Sequence, residues 1–409
     1  MKKSLLNISM CFVCAGAFAQ VPVTQTDSIL NDSIGMETQM EEIVMIGYGS
    51  KRAGAITGSV VQIKASDIVR TPAQSAIQAI QGKAAGVNIV TNDEPGGQPS
   101  IIIRGLGTAI GGRDPLYVID GVEAGGLNGL NPNDIATIDI LKDASSLAIY
   151  GQKGSNGVIL ITTKKGKPGE FKVSYNAYYG QKMIQNKVKM ADSFRYAYYN
   201  NSALGSSTYF SAELPYNTDW LDEITDTGEV ISNSVSIAGC GENTNIYFGV
   251  TNYKEKGILR GSAFERTNVL SNNQYKLFDQ KFKITQFINL AIENNTPKPS
   301  SAFTNAYRQS PIVPVRYPNG RWGAPLINGG VADLTGDRFN NVDNPVAQLA
   351  LANNESRAII LSGTIGAEYQ ILEDLKFNSS FGATAGWGRS YNYFSDVDRF
   401  LASNPSSER

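Results

Sequence analysis

The sequence contains no histidine, and this absence removes several classes of site at once. Neither a Ser-His-Asp nor a Cys-His nucleophile can form, and no His-ligated metal site is possible. Beyond the N-terminus, no apolar run reaches the length of about 18 residues that a membrane-spanning helix needs. Lys and Arg (36) nearly balance Asp and Glu (37), so composition gives no reason to expect a nucleic-acid partner. The sequence predicts no catalytic group, no metal and no cofactor.

The first nineteen residues predict a secretory signal peptide. Two lysines precede an apolar core at residues 5–18, and Ala17-Phe18-Ala19 offers a small-residue cleavage site. Cleavage there would remove two of the three cysteines and leave only Cys240, so no intrachain disulfide is expected. The polar segment 20–40 follows and is predicted to be a flexible linker.

Residues 50–169 combine short apolar strands with glycine-marked turns, which is typical of a compact αβ domain. The most informative stretch is 131–167, NPNDIATIDILKDASSLAIYGQKGSNGVILITTKKGK. It reads as an apolar strand, a short helical segment and a second apolar strand at 158–161, and so predicts a βαβ-like unit. Asp120-Gly121 is interpreted as a turn rather than a phosphate or metal loop, because Asp bonds its own backbone and Gly accepts positive φ.

Four motifs of this domain resemble, in order, the plug domain of the SusC/RagA family of TonB-dependent outer-membrane transporters. They are SAIQAIQGKAAGVNIV, IIIRGLGT, RDPLYVIDGVE and NPNDIATIDILKDASSLAIYG. Upstream, residues 41–49 (EEIVMIGYG) resemble the segment that serves this family as the TonB box. The resemblance implies that TonB binds Glu42, Ile43, Val44, Met45 and Ile46. The run by itself is equally typical of a buried strand. If exposed, an extended segment of this kind can add itself as a strand to the edge of a partner's sheet.

Beyond residue 169, apolar and polar residues alternate with a period of two. Seven segments are predicted as strands: 171–182, 230–239, 244–254, 265–278, 281–293, 357–371 and 375–388. The joins between them alternate in length, as do the short periplasmic turns and long extracellular loops of outer-membrane barrels. Residues 170–409 are therefore expected to form a partial membrane β-barrel, about 7 of roughly 22 antiparallel strands, behind an N-terminal αβ plug domain.

A closed barrel of about eight strands is filled by its own side chains and could not hold a plug. We therefore expect the sequence to be the N-terminal part of a longer transporter. The resemblance implies a multi-pass protein of the cell outer membrane, in contact with its lipid. It would import an oligosaccharide or a peptide, with TonB and its inner-membrane energising proteins and a SusD-like surface lipoprotein as partners. Two alternatives remain open: a siderophore- or cobalamin-type TonB-dependent receptor, and a ligand-sensing receptor without transport.

The longest join, residues 294–356, carries spaced aromatic and basic side chains. Tyr307, Arg308, Tyr317 and Trp322 are predicted to contact the substrate or a partner, because aromatic and arginine side chains dominate binding hot spots. A solvated loop that shields the barrel mouth would have the same composition. The sequence alone leaves both interpretations open.

Overall fold

The structure is a computed structural model. The residues it describes are 43–46, 49–52, 60–69, 75–103, 105, 112–127, 129–143, 147–205, 210, 215–318, 320, 322–323, 342, 344–372 and 375–394. The predicted signal peptide and linker lie outside these residues, as does Glu42 of the predicted TonB box.

The N-terminal part of the chain consists of short elements. Its strands are β1 (Ile43–Ile46), β2 (Gly49–Arg52), β3 (Val60–Lys64), β4 (Val87–Val90), β5 (Ser100–Ile103), β6 (Leu116–Ile119), β7 (Val122–Ala124), β8 (Ile135–Leu141) and β9 (Val158–Thr163). Its helices are α1 (Ala65–Val69), α2 (Ala76–Ala79) and two 3-10 segments, Pro132–Asp134 and Ala148–Gly154. From β3 to β9 these elements make up the predicted αβ domain.

The central sheet of the αβ domain has the strand order β3-β8-β9-β6-β7. Strands β8 and β9 pair antiparallel, so the strand–helix–strand unit is not a parallel crossover of the βαβ kind. The reason lies in its connection, where Gly151 (φ 58°) interrupts the 3-10 segment and Gly157 (φ 98°) reverses the chain. Strand β9 therefore returns beside β8, and its other edge pairs in parallel with β6.

The core of the αβ domain is dominated by isoleucine and leucine, with a few alanine, valine and tyrosine side chains. Strands β8 and β9 are largely buried on both faces, which explains why their sequences are mostly apolar, although β8 also carries Thr137 and the buried Asp139. Each large apolar side chain contributes about 1.5–3 kcal/mol when fully buried. The largest fully buried ones are Ile68, Ile80, Ile101, Leu130, Ile135, Ile138, Ile140, Leu141, Ile159 and Ile161.

The rest of the chain forms a seven-stranded antiparallel sheet whose strands follow one another in chain order. The strands are β10 (Phe171–Lys182), β11 (Gly228–Cys240), β12 (Thr244–Lys256), β13 (Ala263–Leu277), β14 (Phe282–Thr296), β15 (Ala352–Leu372) and β16 (Leu375–Phe394). All seven predicted strands are confirmed. Several are longer than predicted, above all β15 and β16, because polar residues at their ends continue the pairing.

The two faces of this sheet differ sharply. The face that contacts the αβ domain, here called the inner face, buries polar side chains such as Thr251, Asn268 and Asn272. The opposite outer face exposes large apolar side chains, with Phe171 at 78% and Phe381 at 74% exposure. No helix among the described residues is long and apolar enough to cross a membrane.

The described parts of the long joins contain four helices that pack into their own apolar cluster. They are α3 (Ser193–Ala203), α4 (Trp220–Ile224), α5 (Ser301–Arg308) and α6 (Pro345–Leu351). Trp220 is buried there, and its Nε1 donates to Ser310 O at 2.9 Å. Asn344 caps α6 by accepting from Ala347 N at 3.0 Å, while its Nδ2 donates to Gly323 O at 2.8 Å. The long joins are thus folded structure rather than solvated chain where the structure describes them.

Candidate functional site: the contact between the αβ domain and the inner face

The predicted TonB box is extended, as expected, but it is already paired. Strand β1 (Ile43–Ile46) forms an antiparallel hairpin with β2, in which Ile43 lies opposite Arg52 and Ile46 opposite Gly49. An isolated two-stranded hairpin is only marginally stable in water. Strand β1 can therefore leave this hairpin and pair with another sheet at a small cost in free energy. Its binding to TonB stays a prediction.

Asn245 of β12 holds the segment that leaves the αβ domain. Its Oδ1 accepts from Gly166 N at 2.7 Å, and its Nδ2 donates to Gly166 O at 2.8 Å. A Cβ on Gly166 would lie 2.2 Å from the carbonyl oxygen of Gly239, so only glycine can approach the strand this closely. The side-chain amide of Asn245 therefore forms hydrogen bonds with both the backbone N–H and the carbonyl group of Gly166.

A buried hydrogen bond joins Tyr247 of β12 to Asp134 of the αβ domain. The Tyr247 hydroxyl donates to Asp134 Oδ1 at 2.8 Å, and Asp134 is 1% exposed. Burial raises the pKa of Asp134 to about 6, although this hydrogen bond and the charges of Lys164 and Arg266 act in the opposite direction. The carboxyl group thus titrates near neutral pH at a contact between two parts of the fold.

A third contact centres on Thr163, the last residue of β9. Thr163 donates to Asp120 through both its backbone N (3.1 Å) and its Oγ1 (2.6 Å). Asn272 of β13 then donates from Nδ2 to Thr163 Oγ1 at 2.6 Å. Asp120 has φ 46° and Gly121 φ 88°, which agrees with the interpretation of Asp-Gly as a turn. Its carboxylate joins β6 to β9 and, through Thr163, to the inner face.

The fourth contact is a backbone carbonyl held by two asparagines. Gly129 O accepts from Asn289 Nδ2 at 3.0 Å and from Asn268 Nδ2. Gly129 has φ +85°, and a Cβ there would lie 2.7 Å from Ala291 Cβ. Glycine is therefore required both by the backbone conformation and by the close approach to β14.

These contacts share a chemistry that the sequence interpretation missed. Polar side chains on the inner face of β12, β13 and β14 bind backbone or side-chain groups of residues 120–166. One signal was available: Asn245, Asn268, Asn272 and Asn289 all stand at inward positions of the period-two pattern. Hydrogen bonds between polar partners can be replaced by water at a net cost of only about 0.5–1.5 kcal/mol each. The contact is specific and can still separate.

The four predicted loop residues lie on two separate elements. Tyr307 and Arg308 are exposed at the end of α5. Tyr317 and Trp322 belong to a turn, where the Tyr317 ring contacts Tyr216 edge-on with centroids 6.1 Å apart. The Arg316 guanidinium lies 3.4 Å from the centroid of the Trp322 ring and covers one of its faces. Each residue is at least partly accessible, and their contact with a substrate or partner stays a prediction.

Comparison with known proteins agrees with this architecture. The TonB-dependent Receptor Plug Domain family matches residues 52–158. A TonB-dependent receptor of Formosa agariphila is 32% identical over 371 residues, which are 87% of this chain and 36% of that protein. TonB-dependent receptor SusC of Bacteroides thetaiotaomicron is 33% identical over 393 residues, 89% of this chain and 38% of SusC. This chain therefore spans little more than a third of the curated relatives it matches.

Part of the solved structure of the RagAB peptide importer in its closed-closed state has the same fold as this chain. Its TM-score is 0.70 at 20% identity, with 85% of this chain and 43% of that chain covered. The αβ domain is thus a plug domain, and the seven-stranded sheet is part of a β-barrel wall, as the sequence predicted. By its plug domain, its curated relatives and its fold, this chain belongs to the SusC/RagA type of TonB-dependent receptors.

Proposed function

We propose that the protein imports a nutrient across the cell outer membrane in a TonB-dependent manner. One observation carries this proposal: a plug domain lies against a wall whose buried face is polar and whose exposed face is apolar. In a soluble protein the two faces would have the reverse character. The relatives are named receptors and an importer, which agrees with the expectation that the chain is not an enzyme.

The import step requires the plug domain to move relative to the wall. TonB would bind Glu42–Ile46 as an added strand and pull, and the force would reach the plug domain through the chain that leads to β3. Hydrogen bonds such as Tyr247–Asp134 and Asn272–Thr163 would exchange for bonds to water as the plug domain shifts. Because the groups of the plug domain and of the wall are both polar, each can form hydrogen bonds with water while the plug domain is displaced.

The proposed substrate is an oligosaccharide or a peptide, and the proposed partner is a SusD-like surface lipoprotein. The relatives support this pairing by name, since SusC and the RagAB peptide importer are among them. The helices of the long joins offer a folded surface for such contacts, with Tyr307, Arg308, Tyr317 and Trp322 as candidates. The aromatic rings of Tyr307, Tyr317 and Trp322 suit stacking on sugars as well as packing on a partner protein.

Two substitutions at one position test the role of the TonB box. Val44→Pro removes a backbone N–H that an added strand needs, whereas Val44→Ala keeps it. We expect Val44→Pro to abolish uptake by cells, Val44→Ala to retain most of it, and both to bind substrate at the surface like the wild type. Equal uptake by the two variants would refute the assignment of residues 42–46.

A pull-down separates the proposed importer from its alternatives. Affinity purification of the full-length protein from outer membranes should recover a surface lipoprotein in stoichiometric amount. Absence of a lipoprotein together with uptake of a ferric chelate would instead establish a siderophore-type receptor. Substrate binding without any Val44-dependent uptake would establish a sensing receptor.

A further inference from the structure

Two lysines lie directly opposite each other at one end of the inner face. Lys276 of β13 and Lys283 of β14 are cross-strand partners in the register, and both stand at inward positions of the period-two pattern. The tight turn 278–281 joins the two strands just beyond this pair, and tight turns mark the periplasmic end of outer-membrane barrels. Like charges directly opposite each other destabilise a sheet, so such a pair favours an anionic group beside it.

Two more lysines enlarge this pair into a cluster, here called the basic rim. Lys165, in the segment that leaves the plug domain, and Lys376, at an inward position of β16, act electrostatically on Lys283, as Lys276 does. Glu368 of β15 is the one carboxylate among the described charges that act on Lys283, and its Oε1 lies 3.5 Å from Lys376 Nζ. Four cations of the basic rim therefore share one carboxylate.

The surroundings of the basic rim do not balance this excess of positive charge. Glu242 and Asp279 belong to tight turns at the same end, and neither is among the described charges that act on Lys283. The three wall lysines of the rim point inward, whereas lipid head groups would lie outside the wall. An anionic partner of the rim would therefore come from inside the barrel.

A cavity between the plug domain and the wall lies on the same strands as the basic rim. Its volume is about 340 Å³, and it is lined by the β6–β7 hairpin and by inward residues of β14–β16, among them Thr364. Glu368 follows Thr364 by four residues on β15, which is a rise of about 13 Å towards the tight turns. A ligand that passes between plug domain and wall along these strands therefore meets the basic rim before it reaches the periplasm.

We propose that the basic rim is an exit subsite that binds anionic groups of the transported ligand, such as the carboxylates of an acidic peptide or an acidic sugar. The proposal rests on the proposed import function and names a chemical class within its substrate. A carboxylate between Lys276 and Lys283 would relieve the repulsion of these two ammonium groups. Exposed ion pairs are individually weak, so the ligand could also leave the rim, as release into the periplasm requires.

Protection of a single cysteine tests the proposal in the full-length protein. Asn378→Cys, at an inward position of β16 opposite Glu368, is introduced into a cysteine-free background and alkylated with neutral iodoacetamide. Tetraglutamate is the anionic probe, and tetraserine is its neutral counterpart. We expect tetraglutamate to halve the alkylation rate at a concentration about tenfold below the one that tetraserine requires. Rates with and without probe are compared within each variant, so changes in the reactivity of the thiol cancel.

Substitutions of charged residues identify the groups responsible. The double variant Lys276→Gln/Lys283→Gln should raise the half-protecting concentration of tetraglutamate about fivefold, as expected for the loss of two exposed ion pairs. Glu368→Gln should lower this concentration, because it removes the carboxylate that competes with the probe. Equal protection by the two peptides, or protection that the lysine substitutions leave unchanged, would overturn the proposal.

A lipid control separates the ligand from the other source of anionic groups. The protein is reconstituted in bilayers of phosphatidylcholine with or without phosphatidylglycerol, and alkylation at position 378 is measured without peptide. We expect equal rates in the two bilayers, whereas protection by phosphatidylglycerol alone would overturn the proposal in favour of a lipid site. None of these measurements needs TonB or uptake, so failure here leaves the import proposal to be decided by the Val44 variants.

Discussion

Alternate residues of the same strands form the two faces of the seven-stranded sheet. Polar side chains are buried on the inner face, whereas apolar side chains are exposed on the outer face. In the middle of β12, Val250 points outward and is 36% exposed, whereas Thr251 points inward and is 1% exposed. The buried residue is polar and the exposed residue is apolar. The pattern repeats on β13 with Val269 outward and Asn268 inward.

This difference between the inner and outer faces follows from the surroundings of each face. The inner face meets a plug domain that presents backbone and carboxylate groups, so it needs hydrogen-bonding side chains. We propose that the outer face meets lipid, where apolar side chains lose nothing by being exposed. The same alternation that fixes the strand register thus gives one face the polar groups that hold the plug domain and the other face an apolar surface suited to lipid.

The largest expected effect comes from placing a charge on the outer face. Val250→Lys at the centre of β12 should destabilise the membrane-inserted protein by about 2–4 kcal/mol, because the ammonium would lie near the middle of the bilayer. Unfolding by guanidinium in lipid vesicles measures the loss. Gln181→Lys, near the end of β10 on the same face, should cost no more than about 1 kcal/mol. Equal costs at the two positions would refute the lipid assignment.

An intermediate effect is expected on the inner face. Tyr247→Phe removes the donor to the buried Asp134 carboxyl group and should weaken docking of the plug domain by about 1–3 kcal/mol. Hydrogen exchange of plug-domain amides reports this loss. Tyr275→Phe, on the exposed outer face, is the matched control and should leave exchange unchanged. If both variants behave alike, the Tyr247–Asp134 bond does not hold the plug domain.

A further expected effect is a dependence of docking on pH. Burial raises the pKa of Asp134 to about 6, above its value of about 3.9 in an unfolded chain. Its stabilising contribution is therefore fully present below about pH 4 and is lost as the pH rises through about 6. The denaturation midpoint of the plug domain should fall between pH 4 and 7 by more in the wild type than in Asp134→Asn. Parallel curves would show that Asp134 does not titrate in this range.

The strands of the wall could be predicted because their signal is local. Alternation over ten or more residues and the turn at Asp279-Gln280 placed β13 and β14 to within a few residues. The plug domain could be identified from its motifs, but the direction of β9 could not be predicted. The antiparallel pairing of β9 with β8 depends on the glycine turn before β9 rather than on the residues of β9 itself.

The contacts of the candidate site could not be predicted in the same way. Gly129 and Asn289 are 160 residues apart, and no local pattern indicates that one amide will bind the other residue's carbonyl group. The cluster around Trp220 in the long joins is similar, since Trp220 and Ser310 come together only through the folding of several helices. Inward-facing asparagines were visible in the sequence, but what they bind depends on how the plug domain is seated.

The central claim is that lipid covers the outer face and the plug domain covers the inner face. Nitroxide labels at positions 246, 248 and 250 of β12 test it most directly in the full-length protein in lipid bilayers. Power-saturation EPR should show high accessibility to oxygen and low accessibility to a water-soluble nickel complex at these positions, and the reverse at position 202 of α3. High nickel accessibility at 246, 248 and 250 would show that this face meets water, and would contradict the account.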